Sequence, residues 1–140
     1  MLIESDILIA HIKKKDWLKP IADRIIKDVE AGRFGVVQIP SEVFHELYYV
    51  MSEFTTLDTI QANFARIRSL KNVRFLDPNP ETYILVVSLV QTYNISSFFD
   101  AIYAAHALSP ECPDNTIIST DSVYDKIKGI KRIDPRDLYQ

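Results

Sequence analysis

The sequence predicts an α/β fold, a three-layer α/β/α sandwich with a central, mainly parallel sheet. Short apolar runs, "MLIES", "FGVVQIP", "VRFLD", "TIIST" and "KRIDP", recur between longer stretches whose apolar residues have helical spacing. Strands that alternate with helices point to a parallel sheet covered on both faces. With 140 residues, 47% hydrophobic content and only three glycines, residues 1–140 are expected to form one compact domain with a sizeable core.

Taken in order, "MLIES" is a short apolar start that suits an edge or a central strand, with Asp6 where the strand would end. "DWLKPIADRIIKDVEAG" offers Asp16 as N-cap, Pro20 in the first turn, and Ile21, Ile25, Ile26 and Val29 at helical spacing, with Gly32 as the stop. After the strand "FGVVQIP", "SEVFHELYYVMSEF" opens with Ser41 as N-cap and runs helically. "TLDTIQANFARIRSL" begins with Thr56 as N-cap and sets Leu57, Ile60, Phe64 and Ile67 on one face. "VRFLD" is the next strand, and the prolines of "PNPETYILVVSLVQTYN" open another helix. "SSFFDAIYAAHAL" reads as a buried helix headed by Asp100, and a polar loop leads to the strand "TIIST", a short helix "DSVYDKIKG" and the last strand "KRIDP".

A lone cysteine, Cys112, leaves no internal disulfide, and "MLIESD" lacks the basic start and apolar run of a secretory signal, so a reducing cytoplasm is expected. The longest apolar stretch falls far short of the roughly 20 residues that span a bilayer, so no membrane association is expected. Net charge is −3, and its distribution says more than its mean. All 16 Lys and Arg fall in blocks 13–33, 66–74 and 126–136, so the two stretches 34–65 and 75–125 hold none. Those stretches carry eleven acids. Carboxylates without local basic partners must be solvated, paired at a distance or gathered around a metal ion.

In open α/β sheets, ligands bind beyond the carboxyl ends of the strands. Asp6 follows the first strand, Asp121 follows "TIIST", and Glu46 and Asp100 lie in the early turns of helices. Four carboxylates from distant parts of the chain are thus expected to meet at one rim, where a hard divalent cation such as Mg²⁺ or Mn²⁺ would neutralise them. Metal-dependent phosphoryl chemistry is the activity this set suggests. Each acid taken singly also has a structural role: Asp6 and Asp121 suit N-caps, and Asp100 lies three residues after Ser97, close to a capping box. Glu42, one turn before Glu46, is a rival ligand with the same first-turn explanation.

The segments "SDILIAHI", "PSEVFHEL", "FDAIYAAHAL" and "IISTDSVYDKIKGIKRIDP" together resemble the PIN-domain ribonucleases, including the VapC-like toxins of toxin–antitoxin pairs, over nearly the whole chain. By matching position, the resemblance implies catalytic, metal-binding roles for Asp6, Glu46, Asp100 and Asp121, with Mg²⁺ or Mn²⁺ as cofactor, RNA as substrate, a small antitoxin as partner and a homodimer. Ser119 and Thr120, beside the last acid, are candidate contacts to a metal-bound water or a substrate phosphate. Lys13, Lys14 and Lys15 are candidates for the RNA backbone, whose binding is largely electrostatic. The chain departs from the family pattern at Leu8, where many members have Asn, at Val123, where many have a further acid, and at Phe44 and His45, where a hydroxyl residue is common. The alternative is a catalytically weakened PIN-like domain that serves as an RNA-binding or protein-interaction module.

Other chemistries fit worse. His45-Glu46 resembles the start of a zinc-protease helix, but position 49 is Tyr. His11, His45 and His106 lie far apart without companion cysteines, which argues against structural zinc. Glycines only at 32, 35 and 129 leave no phosphate-cradling loop. Tyr48, Tyr49, Phe98 and Phe99 suit core or interface better than base stacking, and the apolar face of 82–93 is a candidate dimer surface.

Overall fold

The computed structural model describes residues 1–140. Its centre is a five-stranded sheet in the order β3-β2-β1-β4-β5, with every neighbouring pair parallel. The strands are β1 (Leu2–Ile3), β2 (Val37–Pro40), β3 (Val73–Leu76), β4 (Thr116–Ile118) and β5 (Lys131–Ile133). The helices are α1 (Ser5–Ile12), α2 (Lys19–Glu30), α3 (Glu42–Ser52), α4 (Leu57–Arg68), α5 (Pro80–Tyr93) and α6 (Phe98–Leu108), with 3₁₀ turns at Ser122–Lys126 and Pro135–Asp137.

The alternation of side chains along a strand divides the core in two. Ile3 and Ile118 join a cluster with Ile7, Ile25, Val43 and Ile67, which seats α1 to α4 on one face. Leu2 and Ile117 join Val86, Leu89, Ile102 and Tyr103, which seats α5 and α6 on the other. Both residues of β1 are fully buried, as the centre of a doubly covered sheet requires.

Local chemistry sets the boundaries. Thr56 caps α4 by accepting from Thr59 N–H, and Ser97 caps α6 by accepting from Asp100 N–H. Asn79 and Thr82 form a reciprocal capping box at the start of α5. Gly32, at φ +74°, supplies the left-handed step that ends the α2 region. Two expected caps act otherwise. Asp16 accepts from Leu18 N–H in the turn before α2, which starts at Lys19, and Ser41 turns its hydroxyl to Leu76 O and Asp77 Oδ1, tying α3 to the end of β3.

The chain builds leftward from β1 through β2 to β3, then returns to place β4 and β5 on the other side of β1. The order therefore reverses between β1 and β4. Their carboxyl ends form the switch point at which such sheets bind ligands. No single helix is long and apolar enough to cross a membrane, and the consecutive helices α5 and α6 meet at a bend of 112°.

Candidate active site

Four segments converge at the switch point. β1 leads into α1 with Glu4 at the junction and Asp6 in the first turn. β4 leads through Ser119 and Thr120 to Asp121, which caps the following 3₁₀ turn by accepting from Val123 N–H at 2.8 Å. α3 and α6 supply Glu46 and Asp100.

Asp6 is fixed by Thr120. One oxygen, Oδ2, accepts from both the backbone N–H and the hydroxyl of Thr120, each at 2.7 Å. The other, Oδ1, is buried and has no partner. Burial raises the Asp6 pKa against the opposing effect of the Thr120 hydrogen bonds. Asp6 is thus a first-turn residue of α1, and the N-cap position belongs to Glu4, whose side chain caps nothing.

Glu46 accepts a hydrogen bond from the Tyr103 hydroxyl of α6. Burial and then the Glu46 charge push the Tyr103 pKa up, so the phenol stays a donor. Ser97 caps α6 by accepting from the Asp100 N–H. Burial, then the charges of Asp121 and Glu46, push Asp100 up to about 6. That shift comes first from burial and second from the neighbouring acids.

The sequence reading passed over Glu4. It is 5% exposed, and its two oxygens accept from Ser5 Oγ at 2.7 Å and Ser119 Oγ at 2.9 Å. Burial holds its pKa well above the ordinary carboxylate range, with Asp6 and then Glu46 adding repulsion. The available signal was a charge placed directly after an apolar strand, where solvent cannot reach it. Beneath the acids, the fully buried Tyr124 hydroxyl has no partner, and Glu4, Asp100 and Asp121 are among the charges that bear on it.

Other candidates are placed elsewhere or occupied. Glu42 is paired with the buried His106, whose Nε2 lies 2.9 Å from Glu42 Oε1, whereas the partner of Glu46 is the Tyr103 hydroxyl. Ser119 is fully buried between Glu4 and Asp121 N–H, and Thr120 is engaged with Asp6, so both hydroxyls are used within the protein. Lys13, Lys14 and Lys15 follow α1 and line a cavity of about 480 Å³ with Met51, Phe54 and Thr59, where Lys13 Nζ sits 5.9 Å over the Phe54 ring. His11 pairs with Asp23 and His45 packs beside Tyr49, which keeps the three histidines apart. Tyr48, Tyr49 and Phe98 are exposed rather than core, because they lie on the outer faces of α3 and α6.

The donor set is all oxygen, which suits a hard divalent cation. Clustered carboxylates, an elevated Asp100 and a buried, unpartnered Asp6 Oδ1 are what a cation would relieve. As the side chains stand, no three of the acids close around one point, so the fit rests on donor chemistry and placement.

The chain belongs to the PIN domain family, which matches residues 1–130. No curated protein sequence matches it. Among solved structures, the VapBC2 complex of Rickettsia felis bound to a DNA fragment from its promoter is similar at a TM-score of 0.69 and 17% identity, covering 94% of this chain and 96% of that one. The Mycobacterium tuberculosis toxin VapC20, described as cleaving the sarcin-ricin loop, gives 0.70 and 17% over 86% and 89%. A toxin–antitoxin complex from Klebsiella pneumoniae gives 0.65 and 16% over 96% of each chain.

Proposed function

We propose that the chain, as one domain over residues 1–140, is a divalent-cation-dependent endoribonuclease and the toxin of a toxin–antitoxin pair, acting in the cytoplasm. The observation that carries this reading is the gathering of Asp6, Glu46, Asp100 and Asp121 at the switch point of a PIN domain, with Asp100 pushed up to about 6. RNA as substrate is supported by the sarcin-ricin loop cleavage of the M. tuberculosis relative. An antitoxin partner is supported by the complexes from R. felis and K. pneumoniae. A second copy of the chain would pair through the outer face of α5, where Tyr83, Ile84 and Val87 are exposed.

In this reading Asp100, Asp121, Glu46 and Asp6 hold Mg²⁺ or Mn²⁺. A bound divalent cation supplies a water of lowered pKa and neutralises charge on the phosphate oxygens. The residues of the chain do the rest. Tyr103 fixes the direction of Glu46, and Thr120 fixes Asp6. The helix dipole of α6 favours the negative charge of Asp100 in its first turn. Lys13, Lys14 and Lys15, seven to nine residues beyond Asp6, meet the RNA backbone away from the scissile bond.

The test is cleavage of a fluorogenic single-stranded RNA by wild type and Asp100→Asn with Mn²⁺, with Mg²⁺ and with EDTA. Cleavage that needs the cation and disappears in the variant supports the reading. Equal signals from both proteins contradict it.

A further inference from the structure

We infer that an exposed aromatic surface of α3 and α6, built on His45, Tyr48, Tyr49 and Phe98, stacks the unpaired bases of a single-stranded RNA beside the acids. The inference rests on the nuclease reading above and names the form of RNA that the site takes, with the side chains that select it.

The rings make a continuous path. Tyr48 and Tyr49 lie 5.6 Å apart between centroids, Tyr49 and His45 5.3 Å, His45 and Phe99 5.9 Å, and Phe99 and Tyr103 6.5 Å. The path ends at the acids, since the Tyr103 hydroxyl donates to Glu46. His45 directly precedes Glu46, and Phe98 and Phe99 directly precede Asp100, so the ring contact between α3 and α6 runs alongside the two acids. Helical spacing sets His45, Tyr48 and Tyr49 on neighbouring turns of one side of α3, while Val43, Leu47 and Met51 hold another side to the core.

At its outer end the path is open to solvent. Tyr48 is 43% exposed, Phe98 51% and Tyr49 60%. Single exposed rings are ordinary, whereas a contiguous group of them marks a binding surface.

Charge decides the occupant. Helices α3, α5 and α6 contain no Lys or Arg. A phosphate backbone therefore finds no cation along these helices, and the acids beside them repel it. A strand held here is held by its bases. Every base has a π-face, and stacking on an aromatic side chain tolerates any sequence. The bases of a duplex are already stacked on one another, so such a platform selects unpaired nucleotides.

Binding of a fluorescently labelled single-stranded RNA, and of an abasic ribose-phosphate chain of the same length, is measured by anisotropy in EDTA, so that neither strand is cut. Wild type is compared with Tyr49→Leu and Phe98→Leu, which keep an apolar side chain and remove the ring, and with Tyr49→Phe, which keeps the ring. The thermal transition of each protein confirms folding, and sedimentation gives its oligomeric state. Each leucine variant is expected to weaken binding of the base-bearing strand about tenfold and to leave the abasic chain unchanged, while Tyr49→Phe stays within about twofold of wild type. Unchanged affinity for the base-bearing strand in both leucine variants overturns the inference. An equal loss for both strands, or a loss in Tyr49→Phe as large as in Tyr49→Leu, overturns it too. A changed oligomeric state with unchanged RNA affinity assigns the rings to a second copy of the chain instead. Cleavage by wild type with Mn²⁺ separates the two readings. Cleavage without preference for the base-bearing strand removes this inference and leaves the nuclease, whereas preferential binding without cleavage keeps the platform and removes the nuclease.

Discussion

Thr120 donates its backbone N–H and its hydroxyl to the same oxygen of Asp6, each at 2.7 Å, and so joins the start of α1 to the loop after β4. The two segments are 114 residues apart in sequence, and this pair of hydrogen bonds ties Asp6 to the loop that carries Asp121. Thr120→Val keeps the shape of the side chain and removes the hydroxyl. It is expected to lower stability by roughly 1–3 kcal/mol, since the bond lost is to a charged group. Urea unfolding of the cation-free protein, with an unchanged dependence on denaturant, would show it.

Tyr103 and Glu46 provide a test of positioning. Tyr103→Phe deletes one oxygen from a fully buried ring and leaves the packing in place. RNA cleavage is expected to fall about 10–100-fold, with the loss in kcat rather than KM, because orientation of an acid and not substrate affinity has changed. A loss confined to KM would assign Tyr103 to substrate binding.

The acids also predict a pH dependence of stability. Asp100, pushed up from 3.8 to about 6, takes up a proton on folding at intermediate pH. Its contribution to stability is complete below about pH 4 and is lost as pH rises through about 6, where the folded protein must carry the charge. Glu4 and Asp6 shift in the same direction. Without divalent cations, the melting temperature should therefore fall as pH rises from about 4 through about 6. In Asp100→Asn the fall should be smaller, and Mn²⁺ should reverse it in wild type.

Glu42 and Glu46 lie one turn apart on α3 and should separate cleanly. Glu42 pairs with the buried His106, so Glu42→Gln is expected to cost roughly 1–3 kcal/mol while leaving Mn²⁺ affinity near that of wild type. Glu46→Gln is expected to weaken Mn²⁺ binding with little effect on stability. Titrating both variants with Mn²⁺ and unfolding both in urea distinguishes the two roles.

The strands and most helices were legible because each couples a hydrophobic period to a punctuation residue. Thr56, Ser97 and Gly32 act as local chemistry predicts, and all five strand segments form, although β2 shortens to Val37–Pro40. Helix α1 is not legible in the sequence, because "SDILIAHI" follows β1 with no break and its isoleucines suit a strand as well as a helix. That ambiguity also hid Glu4. When "MLIES" is read as strand, Asp6 becomes the acid at its end, whereas β1 stops at Ile3 and Glu4 takes that place. The partners of Ser41 and Glu42 are not legible for another reason. Their partners, Asp77 and His106, are 36 and 64 residues away, and no local pattern encodes them. The hydroxyls of Tyr103 and Tyr124 likewise sit in segments whose spacing says only that the rings are buried.

The claim on which all of this depends is that the switch-point acids hold a divalent cation. Anomalous diffraction from crystals grown with Mn²⁺ tests it most directly. The account predicts a manganese peak bounded by Asp100, Asp121, Glu46 and Asp6, and its loss in Asp100→Asn crystals. A site empty at saturating Mn²⁺, or a peak held by other residues, would contradict it.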